Sequence, residues 1–154
     1  AAGDIHRPLI FAMTYDEAAI ADAVRTTRCM VGSDATTSRV DSVLASRLLP
    51  GAFTWAAWYL RRIVREFRTL PLPEAIRRIT SMPAEMAGLW NRGRIAVGAQ
   101  ADLAVFDPAA LQEPADPIRP AALATGVDHV LVNGVLAWSD GRTTGARAGT
   151  VIRA

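Results

Sequence analysis

Short apolar runs and amphipathic stretches alternate through the first half of the chain, and turn-bounded apolar pairs fill the second. Pro8 to Met13 (PLIFAM) is a continuous apolar run of strand length and predicts a buried strand. Thr14-Tyr15-Asp16-Glu17 then has the form of a capping box. The Thr14 hydroxyl would accept from the amide three residues on, while Glu17 reaches back. The helix it opens runs to about Arg25, with Ile20 and Val24 on one face. Cys29 to Val31 is a second short apolar run, ending at Gly32-Ser33-Asp34. Strand, helix, strand in that order predicts a βαβ unit and a parallel sheet.

From Phe53 to Arg68 the spacing is helical. Ala56, Tyr59, Leu60, Ile63, Val64 and Phe67 form one stripe, and Arg61, Arg62, Arg65, Glu66 and Arg68 occupy the other side. Leu70-Pro71-Leu72-Pro73 ends that helix. Pro73 can open the next, Glu74 to Thr80, with Ile76 and Ile79 inward. Ser81-Met82-Pro83 opens a further turn that Gly88 closes. Beyond Gly88 the pattern is β. Ala101 to Asp107 reads as a strand, and 108–122, rich in Pro, Ala and Asp, as a surface loop. Val130-Leu131-Val132 and Val135-Leu136-Ala137-Trp138 flank Asn133-Gly134, a pair suited to the positive φ angles of a type I′ hairpin. Asp140-Gly141 makes another turn, and Val151-Ile152 a last short strand. Two parallel strands are too few for a stable sheet, and the β segment is short of a sandwich. Each half therefore reads as a remnant that needs other strands.

Composition narrows the classes. With 51% hydrophobic and 21% charged residues over 154 positions, the chain is globular and of one-domain size. A net charge of +2 is too small to imply a nucleic-acid partner. The basic residues are all Arg. The single cysteine, Cys29, excludes an intrachain disulfide and a multi-cysteine zinc site, and its apolar neighbours predict a buried structural thiol. No run approaches the ~18 apolar residues of a membrane span. The start, Ala-Ala-Gly-Asp-Ile-His, has no basic or apolar leader region and no Met, which reads as a processed or partial chain; a cytoplasmic location is expected. Trp55, Trp58 and Tyr59 beside Arg61-Arg62 would suit an anionic membrane surface or a nucleic-acid face. Glu66 interrupts that basic face, so a core-packed helix with a wet basic side is preferred, with neither membrane nor nucleic acid as partner.

Gly32-Ser33-Asp34 is the foremost site candidate. It follows a predicted parallel strand, where barrels and open α/β sheets place their active sites. Gly32 permits close backbone approach to a ligand, and Asp34 offers a carboxylate. Taken alone, Ser and Asp at a strand end more often simply turn the chain.

A longer pattern changes that balance. Thr80, Pro83-Ala84, Gly88-Leu89, Arg92-Gly93, Gly98 and Ala101-Asp102-Leu103 occur in order, followed by Gly126-Val127, His129-Val130 and Val132-Asn133-Gly134. Tyr59 to Glu66 and Gly145 to Gly149 add a helix and a tail. Together these resemble the C-terminal region of the amidohydrolase superfamily, in its N-acyl-D-amino-acid deacylase branch. The resemblance covers nearly the whole chain from about Ile10. It implies an α/β fold: residues 1–90 as the last βα units of a (β/α)8 barrel, and 91–154 as part of a small β-sandwich, an incomplete fold. It also implies a metal-dependent hydrolase acting on the amide bond of a small N-acyl amino acid, with one or two zinc ions. Asp34 would end the eighth strand, ligate metal and move the proton. Ser33, Arg47 and Arg39 would contact substrate, a guanidinium being suited to grip its carboxylate.

The departures are as informative. The His-x-His motif of the family is absent, and His6 and His129, the two histidines, stand far apart and read as incidental. One carboxylate cannot hold a catalytic zinc, which takes three protein ligands. The chain alone is therefore expected to be inactive, the missing N-terminal barrel region being supplied in cis or as a separate chain. The alternative is a non-catalytic module that pairs with another chain through unfinished sheet edges.

Overall fold

A computed structural model of the protein describes residues 16–26, 28–34, 39, 49 and 51–152. The apolar run 8–13, Thr14, His6 and Arg47 lie outside the described residues. Helix α1 (Glu17–Thr26) is capped by Asp16, whose Oδ1 accepts the Ala19 N–H at 2.6 Å. That is the bond an N-cap aspartate makes to the third residue of a helix. Val24 is buried and Ile20 half-buried, so the expected face is the one that packs.

The second apolar run enters no strand. Residues 28–34 belong to no sheet, and the Val31 N–H donates to the Arg78 carbonyl, on a helix, at 3.0 Å. Met30 is 44% exposed, and the Cys29 thiol, expected inside, is exposed. A buried parallel strand draws its hydrogen bonds and its apolar cover from neighbours on both sides. Among the described residues none flanks this segment, and every strand pair is antiparallel.

Helix α2 (Trp55–Tyr59) runs straight into a π-helical segment, Leu60–Glu66. The Phe67 N–H reaches the Arg62 carbonyl at 2.8 Å, five residues back. A π turn takes more residues than an α turn. Spacing that aligns Phe67 with the stripe at 3.6 residues per turn therefore swings it outward. Phe67 is 38% exposed, while Ile63 is wholly buried and Tyr59 and Leu60 nearly so. Burying a side chain such as Ile63 contributes about 1.5–3 kcal/mol. The basic face is not simply wet. Arg61 forks onto the Glu113 carboxylate, its Nε donating to Oε2 at 2.7 Å, and Arg65 donates to the carbonyls of Pro108, Ala109 and Leu111. Two arginines thus clamp the 108–122 loop to the helix.

Helix α3 (Leu72–Ile79) has Pro73 in its first turn, and its deepest residues are Ala75 and Arg78. Ile76 and Ile79, expected innermost, are half-buried and line an apolar cavity against the sheet. Helix α4 (Ser81–Met86) ends as anticipated at Gly88 (φ 72°). Gly88 N–H bonds the Glu85 carbonyl and Leu89 N–H bonds that of Ala84, the paired bonds of a Schellman close.

Four strands follow: β1 (Leu103–Phe106), β2 (Val127–Val132), β3 (Val135–Ser139) and β4 (Arg142–Thr143), an antiparallel meander in that order. Asn133 (φ 49°) and Gly134 (φ 79°) form the type I′ turn between β2 and β3. Asp140 and Gly141 turn the chain into β4. Val151 and Ile152 form no strand and are exposed. One apolar cluster crosses both halves: Val24, Ala57, Tyr59, Leu60, Ile63 and Ala75 pack with Leu111, and Phe106 and Val127 of the sheet lie against it. No helix among the described residues is long and apolar enough to cross a membrane.

Candidate functional site

Asp34 closes segment 28–34, and α3 fixes where that segment lies. The anchor is Arg78. Its backbone carbonyl takes the Val31 N–H at 3.0 Å, its Nη1 donates to the Val24 carbonyl of α1 at 2.7 Å, and its Nε donates to Glu74 Oε1 at 2.8 Å. Above this anchor is a cleft of about 660 Å³ lined by Val31, Gly32, Ser33, Asp34, Trp55, Trp58 and Tyr59. Gly32, Ser33 and Asp34 are exposed, so the carboxylate meets water at the cleft. Asp34 has no hydrogen-bond or ion-pair partner among the described residues, which leaves its oxygens available to a ligand.

The aromatic side of the cleft comes from the first turns of α2. Tyr59 is only 2% exposed, and its hydroxyl has no hydrogen-bond partner among the described residues. Burial pushes the phenol up from its ordinary value, the nearby Arg78 charge opposes this, and Cys29 and Glu74 add to the rise. Trp55 and Trp58 also line a smaller cleft of about 350 Å³ with Gly51, Thr54, Glu113 and Ala115. Neither tryptophan was singled out as a cleft residue by its spacing. Their position at the start of a helix that follows the Asp34 loop is the signal that would have found them.

Of the residues expected to bind substrate, Ser33 shares the cleft with Asp34. Arg39 is exposed and is not among the cleft residues, and Arg47 is outside the described residues. His129 sits on β2, exposed, opposite Val105 and Ser139. Among the described residues no three His, Cys, Asp or Glu side chains gather where they could share a metal ion. Asp34 supplies at most one ligand of a set, and a zinc site takes three or four.

The residues of the longer motif have a different task. Arg92 forms an ion pair with Asp102, and Asp102 Oδ1 accepts the Asn133 N–H at 2.8 Å. Arg92 Nη2 donates to Asn133 Oδ1 at 3.2 Å, and Asn133 Nδ2 donates to the Ala148 carbonyl at 2.6 Å. The Gly134 N–H bonds the Ala101 carbonyl at 2.9 Å. This network ties the hairpin turn to the start of β1 and to the tail. Gly93 (φ 75°) lies against the backbone of Thr80, where an added Cβ would stand 2.7 Å from the carbonyl oxygen. Much of the recognisable pattern is thus lock and packing and does not line the Asp34 cleft. A second cavity, of about 430 Å³, is lined mainly by apolar residues including Leu60, Ile76, Ile79, Leu103 and Phe106. It has little of the polar equipment that chemistry needs.

Comparison with known proteins bears on this arrangement. A model of the amidohydrolase family matches residues 18–137. The N-acyl-D-glutamate deacylase of Alcaligenes xylosoxydans xylosoxydans is 43% identical over 106 residues, which are 69% of this chain and 20% of that protein. The D-aminoacylase of the same organism is 37% identical over 93 residues, 60% of this chain and 19% of the relative. Among solved structures, the N-acyl-D-glutamate deacylase of Bordetella bronchiseptica matches with a TM-score of 0.76 at 33% identity. The match covers 90% of this chain and 28% of that one. That enzyme was crystallised with zinc and a phosphonate that mimics the tetrahedral intermediate of its reaction. A D-aminoacylase structure that defined a subset of amidohydrolases also matches at a TM-score of 0.76, with 32% identity. The chain spans 20% of the length of the first curated relative.

Proposed function

The chain belongs to the amidohydrolase family, and from that premise we propose that it forms the C-terminal part of a metal-dependent hydrolase that cleaves the amide bond of N-acyl-D-amino acids. Residues 1–90 would contribute the last βα units of a (β/α)8 barrel, and 91–154 part of a β-sandwich. The exposed Met86, Trp90, Ile95 and Val97 suit a surface that the rest of such a protein would cover. The remaining barrel, in cis or as a separate chain, would supply the other metal ligands.

Within this reading Asp34 is both a ligand and the proton carrier. A zinc ion held by Asp34 together with ligands from the remaining barrel would supply an acidified water and a Lewis acid for the scissile carbonyl. The Asp34 carboxylate takes a proton as water adds to the amide carbon, then returns it to the nitrogen as the C–N bond breaks. Ser33, beside it, contacts the substrate, and Arg47 or Arg39 grips the substrate carboxylate. Trp55 and Trp58 keep one side of the cleft apolar, which strengthens charge interactions there.

The observation that carries the reading is the Asp34 carboxylate, without a partner among the described residues and held in a cleft by a segment anchored on α3. The test is an assay of the full-length protein on N-acetyl-D-glutamate and on neutral N-acetyl-D-amino acids. Amine release should favour the D over the L enantiomer, stop on chelation and return with zinc. A folded, zinc-loaded protein that hydrolyses none of these substrates would refute the proposal.

A further inference from the structure

Arg78 is an unusual residue to find inside the helical half. It is 5% exposed, yet its guanidinium carries a full charge. A buried charge persists only where hydrogen bonds and an opposite charge compensate the lost hydration. Here Glu74 Oε1 supplies the opposite charge at 2.8 Å, and the Val24 carbonyl, in the last turn of α1, accepts from Nη1 at 2.7 Å. A cation at that point is also favoured by the negative end of the helix dipole. The backbone of the same residue holds Val31 at 3.0 Å.

Three separate pieces of chain therefore meet at one side chain and its carbonyl: the end of α1, the last turn of α3 and the segment that leads into Asp34. Val31 is three residues before Asp34, and Tyr59, which lines the same cleft, feels the Arg78 charge. Glu74 is itself steadied by Arg77, whose Nε donates to its Oε2 at 2.7 Å. We infer that Arg78 is a positioning residue that fixes the placement of Asp34 at the reacting bond by pinning both ends of the link between α1 and the Asp34 cleft. The inference rests on the role proposed above for Asp34.

Two variants in the full-length enzyme test it, with Asp34→Asn run in parallel. Arg78→Met keeps bulk and removes the side-chain bonds to Glu74 and Val24. Arg78→Lys keeps the charge and can reach one acceptor at a time. Per folded, zinc-loaded molecule, kcat of Arg78→Met should fall about 10–100-fold, the size expected for a displaced catalytic group, while KM moves less than about two-fold. Arg78→Lys should recover part of that loss. Amide exchange at Val31 should quicken in Arg78→Met and less so in Arg78→Lys, a readout independent of turnover. If Asp34→Asn is inactive while Arg78→Met keeps near-normal kcat, the positioning role is wrong and the site stands. An active Asp34→Asn variant would instead remove the site reading, and this inference with it. Should Arg78→Met not fold, Arg78→Lys decides: normal melting with reduced kcat supports the role, and normal melting with full kcat overturns it.

Discussion

Asp102 and Asp34 are each the aspartate of a short recognisable motif, and their surroundings differ in kind. Asp102 spends its oxygens on its own fold, one accepting the Asn133 N–H and the other paired with Arg92. Asp34 is exposed at a cleft with no partner among the described residues. A carboxylate whose lone pairs are satisfied by neighbouring donors has nothing left for a ligand, whereas an open one can accept a metal or a proton. The two regions follow the same division. The strand region closes its turns on itself through a hydrogen-bonded lock. The Asp34 segment is anchored at Val31 by the Arg78 carbonyl and presents Asp34 exposed at the cleft.

Removing each carboxylate in the full-length protein gives the sharpest contrast. Asp34→Asn should cost about 10²–10⁴-fold in kcat, the range for a lost acid–base group, with the melting temperature nearly unchanged. Asp102→Ala should do the reverse. Turnover per folded molecule stays near normal, while stability falls by about 1–3 kcal/mol as the half-buried Asn133 amide and an arginine lose their acceptor. The lower part of that range is expected, since the Asp102 side chain is 35% exposed. Chemical denaturation together with steady-state kinetics on both variants checks the crossing. If both variants lose activity without losing stability, the division between the regions is false.

Gly126→Ala probes the strand region further. Gly126 has φ 83°, and an added Cβ would stand 2.5 Å from the Ala110 carbonyl carbon. A loss of about 1–3 kcal/mol is expected from strained backbone and forced contact, read as a lower denaturation midpoint with kcat unaffected.

The smallest effect concerns pH and the helical half. Hydrogen bonds from Arg77 and then Arg78 hold the Glu74 carboxyl at about 2, against an ordinary 4.5. As pH falls below 4.5 the unfolded chain takes up this proton first, so the contribution of Glu74 is fully present above that value and disappears towards pH 2. Thermal melts from pH 6 to pH 2 should show a decline in this window that Glu74→Gln makes shallower. An identical slope in the variant would mean the pairing adds nothing to stability.

Local rules of the sequence were reliable where the chain satisfies itself. The Asn133-Gly134 hairpin, the Gly88 helix close and the α1 face of Ile20 and Val24 depend on nearby residues and can be read from them. Reading failed where distant partners or a changed period decide. Asp16, directly before the first helical residue, accepts the Ala19 N–H, a cap that the Thr14 reading did not name. Phe67 left its stripe because the helix widens into π turns, which a period of 3.6 cannot express. Cys29 to Val31 looked like a strand because its apolar character is real, but a strand is made by its neighbours. Nothing in the sequence marks Arg78; only the fold brings Val24 and Val31 to it. Asp34 was legible as a candidate through the motif around it, whereas its aromatic neighbours Trp55 and Trp58 were read only as packing.

The most direct test is a crystal structure of the full-length protein grown with zinc, with the metal located by anomalous scattering. The account predicts an Asp34 carboxylate oxygen about 2.0–2.2 Å from a zinc ion, in a ligand set completed by residues outside this chain. A zinc ion fully coordinated without Asp34, whose side chain then points to bulk solvent, would contradict it.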